Sequence, residues 1–178
     1  MVAVTPDANP DDPADGEAAG DDPGDAAALA AYAATLAEEM AAAIPGWIEG
    51  LVVTRIQAAR GSVTDDERAA AVLAGQQAGA EAGPELRALL ATDIDQQAST
   101  PLAIARHQVA RATEVLRQAG IPAVARDPFA QRQDPGDDYD LTPGSFADIA
   151  PALAEPGMTW GAAKAHVHLA RRRRAGQR

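Results

Sequence analysis

The stretch "STPLAIARHQVARATEVLRQAG" (Ser99–Gly120) decides the fold class. Ser99-Thr100-Pro101 sets an N-cap hydroxyl ahead of a proline at the first helical position, where a missing N–H costs nothing. Leu102, Ala105, Val109, Ala112 and Leu116 then recur at three- and four-residue steps, one apolar stripe of a helix. Gly120 supplies the C-terminal stop, and Arg106, His107, Arg111, Glu114 and Arg117 occupy the other faces. A strand would alternate with a period of two. Neither this segment nor any other in the chain does so, and the β-branched residues fall at helical spacing, which predicts an all-α fold.

Working outward, the other helices follow from the same signals. A first helix is expected from about Asp25, a good N-cap, to Ile44, where Pro45-Gly46 interrupts. "WIEGLVVTRIQAAR" (Trp47–Arg60) follows, with Trp47, Ile48, Leu51, Val52 and Ile56 on one face, closed by Gly61. Thr64 with Glu67 three residues on is a capping box, and Asp65 and Asp66 favour the positive end of the helix dipole. Gly83-Pro84 is expected to end that helix and to begin a short one over Pro84–Gln97. Thr159 is expected to cap the last.

Inside the Thr64 helix runs Gly75-x-x-x-Gly79-x-x-x-Gly83. Interior glycines cost roughly 1 kcal/mol each relative to alanine, so a compensating close contact is expected. Close packing against another helix of the same chain and self-association through Gly75, Gly79 and Gly83 both fit. Gln76, Gln77 and Glu81 exclude a lipid-facing seam.

The charge is divided. The chain has 178 residues, 15 Lys+Arg against 26 Asp+Glu, and net charge -11. Residues 1–25 hold eight acids and no base; residues 171–178 hold five arginines and no acid. A net-acidic body disfavours broad phosphate binding, which needs a basic face. The acidic segment, with four prolines and three glycines, cannot bury enough apolar surface to order itself and reads as a disordered tail. Leu, Ile, Val and Phe are only 31 of the 178 residues, so the 45 alanines must allow a thin core of closely approaching helices.

From Ile121 to Gly157 six prolines break the helical pattern. Phe129, Tyr139, Leu141 and Phe146 are bulky anchors there, and the segment reads as an ordered wrap around the helices. Short helices are expected after Asp127-Pro128 and Thr142-Pro143, and "DPGDD" and "EPG" as turns.

Chemical motifs are sparse. There is no cysteine, so no disulfide and no thiolate site, which suits a reducing cytoplasm. The N-terminal residues show no signal-peptide pattern. The longest uncharged apolar run, Ala26–Ala37, is well short of the roughly 20 residues that span a bilayer. No P-loop, G-x-G-x-x-G or G-x-S-x-G occurs, and the three serines (Ser62, Ser99, Ser145) sit at expected caps and turns. The acids of "DPGDDYD" (Asp134–Asp140) lack calcium-loop spacing and read as a solvated turn. Asp93 and Asp95 read as solvated or ion-paired. His166 and His168 are two apart on a helix, pointing about 200° from each other, and cannot chelate one ion together. An enzyme would need an unfamiliar pocket near Trp160, His107 and the aromatic wrap.

Three segments, "STPLAIARHQVARATEVLRQAGIPAVARDPF", "DDYDLTPGSFADIAPAL" and "EPGMTWGAAKAHVHLARRR", resemble small helical hypothetical proteins of high-GC Gram-positive bacteria. The resemblance covers about residues 85–174. It implies a helical fold and carries no activity, cofactor or site residue with it.

The sequence thus predicts five or six helices over residues 26–174, behind a disordered acidic tail (1–25) and ahead of a disordered end (175–178). The expected role is that of a cytoplasmic, non-enzymatic protein acting through protein–protein contacts, with no cofactor, metal or membrane association. The alternative is a nucleic-acid-associated protein. The candidate contact residues are Arg106, Arg111, Arg117, Arg171, Arg172, Arg173 and Arg174.

Overall fold

A computed structural model of the chain describes residues 23–91, 99–125 and 137–176. These form α1 (Pro23–Arg60), α2 (Asp65–Ala91), α3 (Pro101–Gln118), α4 (Phe146–Ile149) and α5 (Ala154–Gly176), with a 3-10 turn at Pro151–Leu153 before α5. No strand occurs among the described residues, and the all-α expectation holds.

α1 and α2 form a long antiparallel hairpin. Arg60 pairs with Glu67 at the closed end, and Arg87 Nε meets Glu38 Oε1 at 3.1 Å towards the other. Gly61 turns the chain at φ +77°, a backbone conformation that favours glycine. The capping box forms as expected. Thr64 N donates to Glu67 Oε2 at 3.0 Å, and Glu67 N to Thr64 Oγ1 at 3.3 Å. The Thr64 backbone N–H, then the Arg60 guanidinium, hold the Glu67 carboxyl below its ordinary pKa.

Two expected breaks are absent. α1 runs through Pro45 and α2 through Pro84. A proline in a helix removes one hydrogen bond and crowds the preceding turn. At Pro45 the ring is seated on α2: its Cγ lies 2.7 Å from where a β-carbon on Gly79 would be. Pro84 is exposed, and so is Ala80, the residue whose carbonyl loses its partner. Water can therefore solvate that group. The short helix expected from Pro84 is the end of α2, with residues 92–98 outside the described part.

α3 matches its sequence reading. Ala103 N donates to Thr100 Oγ1 at 3.2 Å, Pro101 is the first helical residue, and Gly120 follows the end at φ +69°. Ile104, Ala105, Val109, Ala112 and Leu116 are buried, with Leu102 half-buried. One core unites α1, α2, α3, the wrap and the start of α5; Leu36, Met40, Ile44, Ile48, Val52, Ile56, Leu86, Leu116 and Leu153 are fully enclosed.

Boundaries differ in three places. The helices reach Pro23 and Gly176, beyond the expected 26–174. α5 begins at Ala154, not after Thr159, because "EPG" lies in its first turns, where proline is tolerated. The helix expected after Thr142-Pro143 is the single turn of α4, N-capped by Ser145, and the one after Asp127 falls outside the described residues. Continuity through Pro45 also makes Ala27–Arg60 long and apolar enough, by length and composition, to cross a membrane, which the shorter run Ala26–Ala37 is not.

Candidate interaction surfaces

The α3 arginines act within the chain. Arg106 Nε donates to the Pro143 carbonyl at 3.2 Å. Arg111 pairs with Glu81 of α2. Arg117 reaches Glu114 at 3.0 Å and Asp138 at 3.2 Å. Arg55 of α1, which no sequence motif singles out, donates to the Tyr139 carbonyl. Arg55, Arg106 and Arg117 thus hold residues 138–143 against α1 and α3. Pairs this exposed are individually weak. Their effect is to fix the wrap's position.

The wrap is organised by Asp137, which is only 5% exposed. Its carboxylate accepts from Tyr139 N at 3.2 Å, Leu141 N at 2.8 Å, Thr142 N at 2.6 Å and the Thr142 hydroxyl. Tyr139 is buried and donates its hydroxyl to the Ile121 carbonyl at 2.8 Å. The expected solvated acid turn is therefore corrected: Asp137 is a buried hub, Asp138 an ion-pair partner, and Asp140 exposed at φ 54°. A carboxylate receiving several backbone N–H groups in a turn is a structural device, and the spacing Asp-x-Tyr-x-Leu-Thr is its available signal.

A groove of about 330 Å³ lies on the outer side of α1. Gly46, Trp47, Gly50, Leu51, Thr54, Arg55 and Ala58 of α1 line it, together with Leu141 and Asp148. Asp148 is occupied by α4, accepting from Gly144 N at 2.9 Å and Ser145 N at 2.7 Å. Neither Trp160 nor His107 borders this groove. Trp160 is in the core, and His107 is exposed.

α5 is anchored by Trp160 and Ala163, both buried. Beyond them Val167 is half-covered, while Lys164, Ala165, His166, His168 and Leu169 are exposed. Lys164, His168 and Arg172 succeed one another at four-residue steps, all exposed. Arg171, Arg173 and Arg174 lie on the same helical run. His166 and His168 build no metal centre: among the described residues no group of three or more His, Asp or Glu could hold a metal ion.

Of the candidate glycines, Gly75 and Gly79 face Pro45 within the chain. Gly83 is buried, with its own helix's Arg87 guanidinium 3.5 Å from a β-carbon position. The Asp93 and Asp95 pair lies outside the described residues. Comparison with protein-family models, with curated proteins and with solved structures finds no match to this chain.

Proposed function

We propose that the chain is a non-enzymatic helical protein that binds another protein through the outer half of α5. One observation carries this reading. α5 is tied to the core by Trp160 and Ala163, then continues as helix to Gly176, with Lys164, Ala165, His166, His168, Leu169 and Arg172 exposed. Leu169 is 56% exposed there, one turn beyond the exposed Ala165 and one turn before the exposed Arg172. A helix kept clear of the body, apolar on one side and basic around it, suits an apolar groove with an acidic rim. A cytoplasmic setting belongs to the same reading, supported by the cysteine-free composition. The experiment is photo-crosslinking in cells from positions 165 and 168, repeated with Leu169→Asp. One discrete protein adduct, lost in the variant, supports the reading; adducts unaffected by Leu169→Asp overturn it.

The second reading, association with nucleic acid, is favoured by the line Lys164–His168–Arg172 running into the remaining arginines. Such binding releases counterions and weakens steeply with salt. Fluorescence anisotropy with labelled DNA and RNA at low salt tests it. Binding abolished by deleting residues 171–178 supports it, and no binding at low salt removes it.

A further inference from the structure

We propose that the acidic arm, residues 1–22, docks within the same molecule on the basic outer end of α5. Its seat is Lys164, His168 and Arg172 with the neighbouring Arg171, Arg173 and Arg174, so it occupies the surface assigned above to a partner. The regulatory part rests on the docking role of α5; the intramolecular contact does not.

Charge selects the occupant. Residues 1–22, which lie outside the described residues, carry seven acids and no base. Residues 26–170 carry 18 acids and 10 bases, so an acidic segment meets net repulsion over the body. Only the last eight residues reverse the sign, with five arginines and no acid.

Pairing inside the body narrows the choice. Arg60, Arg87, Arg111 and Arg117 are each committed to a carboxylate, and Arg55 and Arg106 to carbonyls of the wrap. Among the described Lys and Arg side chains, Arg68, Lys164 and Arg172 make no hydrogen bond or ion pair, and all three are exposed. Arg68 follows Asp65, Asp66 and Glu67 at the closed end of the hairpin. The 38 residues of α1 put about 55 Å between Pro23 and that end. Lys164 and Arg172 belong instead to α5, with His168 midway between them on one exposed line.

The connection is long enough. The arm joins α1 at Pro23, about 15 Å of helix before the buried Ala33, and Arg172 lies about 18 Å of helix beyond the buried Trp160. Ala33 and Trp160 share one core, and α5 packs directly on α1. Twenty-two extended residues reach about 75 Å. That exceeds both projections together with the roughly 35 Å width of a domain this size. Exposed ion pairs are individually weak and screened by salt. The tether offsets this by making the encounter intramolecular. The contact is therefore populated at low salt and dissolves at high salt, and an acidic partner competes with the arm for the same cations.

Because the chain has no cysteine, Ala14→Cys gives the full-length protein a single attachment point for a nitroxide label amid the acids. At about 20 mM salt the label is expected to attenuate the amide resonances of residues 164–174 at least about twofold more than those of Gly61–Thr64. Three changes should each restore them: about 0.5 M salt, glutamine at all four of Arg171, Arg172, Arg173 and Arg174, and Asn or Gln at the seven acids of the arm. Attenuation no greater on α5 than at the hairpin turn, or surviving any of these changes, would overturn the contact. So would attenuation passing between labelled and unlabelled chains in a mixed sample. Deca-glutamate is the acidic competitor: it should restore the α5 resonances, and attenuation undiminished by it would overturn the competition. Crosslinking from positions 165 and 168, repeated with the neutralised arm, should yield more partner adduct; an unchanged yield would overturn the regulation. Adduct absent from every form while attenuation persists removes the docking role of α5 and upholds the contact. Adduct without attenuation removes the contact alone.

Discussion

The carbonyl of Pro45 lies so close to Gly75 that a β-carbon there would overlap its oxygen and stand 3.1 Å from its carbon. The residue that should have broken α1 is thus the one against which α2 is fitted. Gly75→Ala is expected to force the helices apart. Overpacking costs about 1–3 kcal/mol, against roughly 1 kcal/mol gained in helix propensity. The net result is a melting temperature lower by several degrees. Gly161→Ala, on an exposed part of α5 with nothing within 4 Å, should raise it slightly. Thermal melts of the two variants check the contrast; equal shifts would contradict the fit.

Asp137 gathers three backbone N–H groups and one hydroxyl in a buried turn. Asp137→Ala leaves those donors without their acceptor, at about 1–3 kcal/mol for each one that water cannot reach. A total loss of about 3 kcal/mol or more is expected in urea denaturation. Tyr139→Phe removes only the bond to Ile121 and should cost about 1 kcal/mol. If Asp137→Ala proves as mild as Tyr139→Phe, the carboxylate is not the organiser.

How much of the fold is legible in the sequence depends on range. The capping box at Thr64 and Glu67 and the whole of α3 depend on neighbours within four residues, and the sequence displays those neighbours directly. Pro45 and Pro84 mislead because local rules assign them breaks. For Pro45 the decisive partners, Gly75 and Gly79, lie 30 and 34 residues away (75 − 45 and 79 − 45). The α3 arginines illustrate the same limit. Their solvent-facing register suggests outside partners, yet Arg106 and Arg117 meet a wrap whose path no periodicity encodes. The glycine spacing signals a close contact, but spacing alone does not distinguish a helix of the same chain from a second copy.

Glu67 gives a pH dependence of known sign. Its folded-state pKa lies below the ordinary value of 4.5, first through the Thr64 backbone N–H and then through Arg60. A depressed carboxylate stabilises the fold above the unfolded-state pKa, and that contribution is lost as pH falls through the folded-state value. Glu67→Gln should therefore be less stable than the parent at pH 7, the gap closing below about pH 4.5. Melting temperatures of both proteins across pH 2–7 check it. A gap that stays constant, or widens in acid, would reverse the assignment.

The outer half of α5 should be dispensable for folding. From Lys164 to Leu169 only Val167 is partly covered, and exposed residues away from special features contribute within about ±0.5 kcal/mol each. Trp160 and Ala163, by contrast, are buried in the body. Deleting residues 164–178 is expected to leave the melting temperature within a few degrees of the parent. Trp160→Ala should cost about 3–5 kcal/mol. Calorimetry on the two variants separates the halves of one helix: Trp160 and its turn belong to the core, while between Lys164 and Leu169 only Val167 is partly covered. A large loss on truncation would mean that the outer half is held by the body, and its availability as a docking element would fall with it.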